Sequence, residues 1–218
     1  MTEPAVPSHE VSTPEESDEL APPSTLLSET TLRLITPLTL QAGLRLIGVA
    51  WNVSDKEVAG SAGLYCWVHG ARDGDPLRSG VLYIGIADGK GGLKARTTDE
   101  ESWRGGDHAH GIALERTHAA VVAGSVKTDV DVDVDLGWVD DLISDGRLSP
   151  TARPFVDEWR EERALKEVEE VAIRLAIHLG DTGAPVNSFH AGAWRNDRPA
   201  DWVAFAIARE LTRRHGGG

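Results

Sequence analysis

The sequence predicts an α+β fold: a small three-stranded sheet, antiparallel or mixed, flanked by helices. Three observations carry that reading. Gly63–Val68 (GLYCWV) and residues 81–86 (VLYIGI) are short, apolar and aromatic, and the stretch between them, HGARDGDPLRSG, is packed with Gly, Asp and Pro. That is the pattern of two strands joined by a loop. Val130, Val132, Val134 and Leu136 alternate with Asp131, Asp133 and Asp135, the period-two signature of a strand with one wet face. Helical periodicity runs from about residue 154 to 179, and again from about 199 to 214.

Each element follows in chain order. Residues 1–30 are rich in Pro, Ser, Thr and Glu and carry no apolar periodicity, so they read as a disordered acidic tail. They lack the basic start and apolar run of a signal peptide. Structure is expected from about Leu32. Thr36-Pro37 supplies a cap and first turn, followed by Leu38, Leu40, Leu44 and Leu46, so residues 31–59 form a helical N-terminal extension. Residues 60–190 form the central domain. It holds the two strands, a Gly-rich turn (Asp88 to Gly92), a short helix from about Leu93, the Asp-rich strand and the long helix stopped by Gly180. Residues 191–218 supply a last helix, opened near Asp197. No apolar run reaches the ~20 residues of a membrane span, so the chain reads as soluble, cytoplasmic and without a membrane partner.

Charge needs dissection before it excludes anything. The 218-residue chain carries 22 basic and 35 acidic residues, a net charge of −13, which argues against a nucleic-acid binder. Residues 1–30 hold seven of those acids and no Lys or Arg, and residues 128–145 hold seven more, again without a base. The remainder has 21 acids against 22 bases, so the objection applies to two segments and not to the domain. The lone cysteine, Cys66, rules out an intramolecular disulfide and thiol-based zinc sites, and reads as strand core. The seven tryptophans show no stacking stripe and read as core or anchors.

The candidate site emerges from scarcity. The chain has two tyrosines, Tyr65 and Tyr83, and each lies in one of the two strands, within Gly63-Leu64-Tyr65 and Tyr83-Ile84-Gly85. Arg96 lies on the short helix that follows. Glu169 is the strongest single clue. On a helical wheel with Leu165 at the origin it falls at about 40°, inside the apolar stripe of Val168, Ala172, Ala176 and Leu179. Glu170 falls on the polar side, with Lys166, Glu167 and Arg174. A carboxylate on an apolar stripe must be paired or hold a cation. Asp107-His108-Ala109-His110 lacks further Cys or His at ligand spacing, so it reads as a loop pair and not as a metal site. Arg72, Arg78, Arg195, Arg198, Arg209, Arg213 and Arg214 are candidate phosphate contacts or solvated surface charges.

These residues together resemble the GIY-YIG nuclease superfamily over residues 60–190. The second triplet is the literal YIG and the first differs only by Leu64 for isoleucine. YIGIADGKGGLKAR (83–96) is similar to the family's strand–turn–helix with its arginine. Glu169-Glu170-Val171-Ala172-Ile173 is similar to its metal-binding helix, and Pro185-Val186-Asn187 to its closing Pro/Asn element. The resemblance implies a DNA endonuclease that uses one Mg²⁺ or Mn²⁺ and no other cofactor. Glu169 would be the metal ligand and Arg96 the phosphate clamp. Tyr65 would be the general base or positioner of the attacking water, which requires a cation to lower its phenol. Tyr83 would hydrogen-bond into the site, and Gly63, Gly85 and Asn187 would support it. The resemblance leaves a second reading, a catalytically inactive module of the same fold that binds nucleic acid or serves assembly. The chain departs from the family in three places. Thirteen positions separate Tyr83 from Arg96; Glu100 stands one turn after Arg96, where some members have histidine; and no lysine immediately follows YIG, with Lys90 and Lys94 the available substitutes and candidate nucleic-acid contacts.

Overall fold

A computed structural model describes residues 35–53, 60–70, 74–128, 134–161, 164–180 and 195–215. The acidic tail, Arg72 and the Pro185–Asn187 element lie outside them. Within them the fold is α+β, as expected, but the sheet has four strands and all neighbours are antiparallel.

Chain order is α1 (Pro37–Leu46), β1 (Val49–Val53), β2 (Gly63–Val68), β3 (Val81–Ala87), α2 (Gly92–Glu101), α3 (Ala109–Arg116), β4 (Ala120–Thr128), α4 (Gly137–Ser144), α5 (Ala152–Glu161), α6 (Leu165–Leu179) and α7 (Pro199–His215). The sheet order is β1-β4-β2-β3. α1 begins as its sequence dictates: Thr36 Oγ1 accepts the Thr39 N–H at 3.2 Å, and Pro37 occupies the first turn, where its missing N–H costs nothing.

β2 is central, and all six of its residues are buried. Alternation sends Leu64, Cys66 and Val68 into the main core with α1 and α4–α7, while Tyr65 and Trp67 point to the opposite face. That second face carries a smaller cluster, in which Tyr65, Trp67 and Ala87 meet Leu93 of α2 and Leu114 of α3. The sheet is therefore covered by a thick helical layer on one side and a thin one on the other.

Three expectations need correction. Residues 31–59 are not a helical extension throughout, because Val49–Val53 form β1 and pair with β4 in the sheet. The Asp-rich strand expected around residues 130–136 falls largely outside the described residues; within them Val134, Asp135 and Leu136 belong to no strand, and Leu136 is the buried residue that caps α4. Val130 and Val132 lie outside the described residues. β4 reads AVVAGSVKT, whose burial does not alternate cleanly because it is the inner strand between β1 and β2, so its pattern was weaker than the Val-Asp repeat. The long helix is two helices. Ala164 is extended (φ −76°, ψ 158°) and separates α5, which packs on α7, from α6, which packs on the sheet, α1 and α7. No Gly or Pro marks that break in the sequence.

The polar side of α6 is only partly wet: Lys166 is exposed, but Arg174 is buried. α7 covers Arg174, which is 4% exposed, ion-paired to the fully buried Asp201 and, at 3.1 Å, to Glu170. The backbone N–H of Arg195 donates to Asp201 Oδ2 at 3.1 Å, and Arg198 reaches Glu170 at 2.7 Å. A polar face facing a helix of complementary charge has the same sequence pattern as one facing water, which is why the wheel misplaced Arg174. Truncating one member of a buried pair strands the other charge. Asp201→Ala is expected to lower unfolding free energy by about 3–5 kcal/mol in chemical denaturation. A loss below about 1 kcal/mol would show the pair to be dispensable.

Candidate functional site

The register of β2 against β3 builds the site. Tyr65 lies opposite Gly85, Trp67 opposite Tyr83 and Gly63 opposite Ala87. Both motif tyrosines thus stand on the thin-layer face, their rings stacked with centroids 6.2 Å apart. The glycines have steric reasons. A Cβ on Gly85 would stand 2.4 Å from the Tyr65 hydroxyl, and one on Gly63 would stand 2.2 Å from the Gly124 carbonyl on β4. Gly85 is the floor on which the Tyr65 phenol lies; Gly63 lets two strands approach.

The turn after β3 leads through Gly91, in the left-handed region at φ 99°, into α2. Leu93, Arg96 and Glu100 recur at helical spacing and face the sheet. Glu100 is fully buried. Its Oε1 accepts the Tyr65 hydroxyl at 2.5 Å and its Oε2 accepts the Trp67 indole N–H at 2.8 Å. Arg96 Nη2 lies 3.1 Å from the same Oε1, and Arg96 Nε donates to the Tyr65 oxygen at 3.3 Å. His110 Nε2, from α3, stands 3.6 Å from Glu100 Oε2, within ion-pair range and beyond a hydrogen bond. Its ring lies 4.3 Å from that of Tyr83. Trp103 closes the rim, with the Arg96 guanidinium 5.5 Å from its ring centroid.

Electrostatics follow from that packing. Burial would raise the Glu100 carboxyl, but His110, Tyr65, Trp67 and the charge of Arg96 outweigh it and hold Glu100 below the usual carboxylate range. Burial first, and Glu100 second, push the Tyr65 phenol far above its ordinary value, against the opposing hydrogen bond from Arg96. The cation that the base role requires is present in Arg96, whose hydrogen bond lowers the phenol, but burial and the Glu100 carboxylate on the same oxygen outweigh it. Tyr83 is raised as well, by burial and by Glu100, with Arg96 opposing and Glu169 adding.

Glu169 joins from the other layer. β3 is an edge strand, and α6 packs beside it. Burial raises the Glu169 carboxyl; Arg96, Lys166 and the Ile86 backbone N–H oppose that rise, while Asp88 adds to it. Glu169 and Arg96 thus feel each other across the edge of β3, and Tyr83 feels both. Tyr65, Tyr83, Arg96 and Glu169 fall in one electrostatic neighbourhood. Lys90 and Lys94 are exposed, and among the described residues neither hydrogen-bonds nor ion-pairs with Tyr65 or Glu100. Asn187 lies outside the described residues. Among those residues no three His, Cys, Asp or Glu side chains group to hold a metal.

Three residues, Glu100, Trp67 and Trp103, have no site role in the sequence reading, which offers His110 only as one of a pair that could replace the missing helix histidine. Glu100 was visible as a carboxylate on the Leu93–Arg96 face of a short polar helix, but it was read as the absence of a histidine. Trp67 reads from sequence as core or anchor. His110 and Trp103 reach the site only through tertiary structure. The His108–His110 pair is not a loop pair: His108 caps α3, accepting the Gly111 N–H at 2.9 Å, and His110 sits in its first turn. Several arginines considered for phosphate contact are engaged internally: Arg195 with Asp197 at 2.7 Å, and Arg213 and Arg214 with the buried Glu210 at 2.7 Å each.

Gly85→Ala tests the floor of the site. The added methyl must displace the Tyr65 ring, so the variant is expected to lose about 1–3 kcal/mol of stability by urea denaturation and to shift the ultraviolet tyrosine spectrum. An unshifted spectrum with unchanged stability would contradict the close approach. Comparison of the chain with protein-family models, with curated proteins and with solved structures returned no match, so the resemblance rests on this chain's own residues and their arrangement.

Proposed function

We propose that the protein is a metal-dependent endonuclease that hydrolyses phosphodiester bonds in DNA. What supports this reading is that Tyr65, Tyr83 and Arg96, from β2, β3 and α2, meet on one face of the sheet, and that Glu169 of α6 interacts electrostatically with Arg96 and Tyr83.

Each side chain has a role suited to its setting. Arg96 is 41% exposed at its side chain, so its planar fork can take two oxygens of a scissile phosphate while Nε stays anchored. It also covers the Tyr65 hydroxyl, which has no solvent exposure, so a phosphate that draws the guanidinium outward uncovers the base. Tyr65 then takes a proton from the attacking water or aligns it. Tyr83 hydrogen-bonds at the rim. Glu169 fits a hard divalent cation: it is a half-buried carboxylate whose burial is only partly offset, with Asp88 nearby as a second oxygen donor. Magnesium keeps several waters and needs one or two carboxylates plus substrate oxygens, so a three-ligand protein cage is not required. A bound Mg²⁺ or Mn²⁺ would neutralise charge on the phosphate and assist departure of the leaving oxygen.

The complete burial of Tyr65 favours one other reading, a non-catalytic DNA-binding or assembly module of the same architecture. Incubation with supercoiled plasmid and branched DNA separates the two. Wild-type protein is expected to nick or cut with Mg²⁺ or Mn²⁺ and to be inert with chelator. Glu169→Ala and Arg96→Ala are each expected to reduce the rate by about 100-fold or more, the loss typical of a charge-stabilising group. Raised salt should weaken binding only modestly, since the domain outside its two acidic segments is near neutral and, among the described residues, has few free cations to neutralise phosphates. Cleavage undiminished in Glu169→Ala would sink the assignment.

A further inference from the structure

We propose that Glu100 is the terminal acceptor of a proton relay, taking the hydroxyl proton of Tyr65 as Tyr65 takes a proton from the attacking water. The proposal rests on the nuclease reading above. It adds to that reading a residue outside the motif and a reason for its chemistry.

The geometry is specific. The Tyr65 hydroxyl points its proton at Glu100 Oε1 over 2.5 Å, and its oxygen accepts from Arg96 Nε at 3.3 Å. A phenol placed so is a poor base by itself, because burial and the adjacent carboxylate oppose its ionisation. It can accept a proton only if its own departs in the same step. Among the described residues the group positioned to receive that proton is Glu100, whose carboxyl is held below the usual range because four groups compensate its charge. These are Tyr65 and Trp67 from β2, Arg96 from its own helix α2, and His110 from α3; from β3, Tyr83 faces it through space. The second oxygen of Glu100 is held by Trp67 at 2.8 Å, which fixes the first on Tyr65.

The step balances without an added reagent. A water O–H bond breaks and its oxygen forms the new P–O bond. The released proton moves to Tyr65 Oη, and the proton already on Oη moves to Glu100 Oε1. The P–O bond to the leaving oxygen breaks and carries its electron pair away, and that oxygen takes a proton from solvent. Glu100 returns its proton to solvent after product leaves. Glu100 touches no substrate atom; it acts through Tyr65 as a positioning residue.

Glu100→Gln and Trp67→Phe test the relay by the pH dependence of cleavage, with circular dichroism and thermal unfolding as checks on folding. Because Glu100 is held below the usual carboxylate range, wild-type kcat should stay level between about pH 6 and 8 and fall only as pH drops through that lowered value. Glu100→Gln should reduce kcat by about 100-fold or more and make it climb with pH across the same window, since only ionised Tyr65 then accepts the proton. Trp67→Phe removes a hydrogen bond that lowers Glu100, so the acid limb should move to higher pH even if Glu100→Gln fails to fold. A purely structural Glu100 would lower the rate without moving either profile. The chain has two tyrosines, so phenolate absorbance gives a readout independent of cleavage: Glu100→Gln should ionise one of them at lower pH than wild type does. Wild-type cleavage with unaltered kcat and profile in Glu100→Gln would overturn the relay and leave the nuclease reading standing. No cleavage by wild type would overturn both.

Discussion

A carboxylate with no exposure to water holds this site together. Removing Glu100 from solvent is costly, and the cost is offset only because partners converge on it from several elements. Two come from adjacent inward positions of β2, one from the preceding turn of α2 and one from α3. The thin helical layer is therefore docked by a polar cluster as much as by Leu93 and Leu114. Anything that moves Glu100 moves the Tyr65 hydroxyl, the Arg96 guanidinium and the α2–sheet contact together.

The division of the sheet into two unequal faces gives that constraint its consequence. The helical core on one face buries Leu64, Cys66 and Ile84 beneath α1 and α4–α7, and it also buries the Arg174–Asp201 pair. The site lies on the other face, where Arg96 and Tyr83 remain partly open to solvent. Glu169 belongs by chain to the thick layer and by electrostatics to the site. It gets there because β3 is an edge strand with α6 alongside, so a side chain near the start of α6 meets the end of β3. A topology with β3 in the sheet interior would separate Glu169 from Arg96.

The β2–β3 hairpin, α1, α2 and α7 were legible because local chemistry dictates them: aromatic and branched runs bounded by Gly and Pro, a Thr-Pro cap, a helix after a Gly-rich turn. Tyr65 and Tyr83 were readable as neighbours because they lie on the paired strands β2 and β3, and Arg96 because its helix follows β3 directly. Other features were settled by contacts distant in sequence. β4 was hidden by a stronger alternating pattern just after it. The α5–α6 break has no Gly or Pro to mark it, and Arg174 on the polar side of α6 is buried through its ion pair with Asp201 of α7. Glu100 is the instructive case. Its spacing from Leu93 and Arg96 was readable, yet the value of a buried carboxylate depends on Tyr65 and Trp67, which lie more than thirty residues earlier. The physics that raises the Tyr65 phenol could not be foreseen from Arg96 alone.

The central claim is that these side chains form a single cation-dependent phosphodiester site. Mn²⁺ binding followed by electron paramagnetic resonance tests it without requiring turnover. The account predicts one Mn²⁺ per chain, bound more tightly when a short DNA duplex is present, and lost in Glu169→Ala while the fold is retained. No bound Mn²⁺, or binding indifferent to Glu169→Ala, would contradict it.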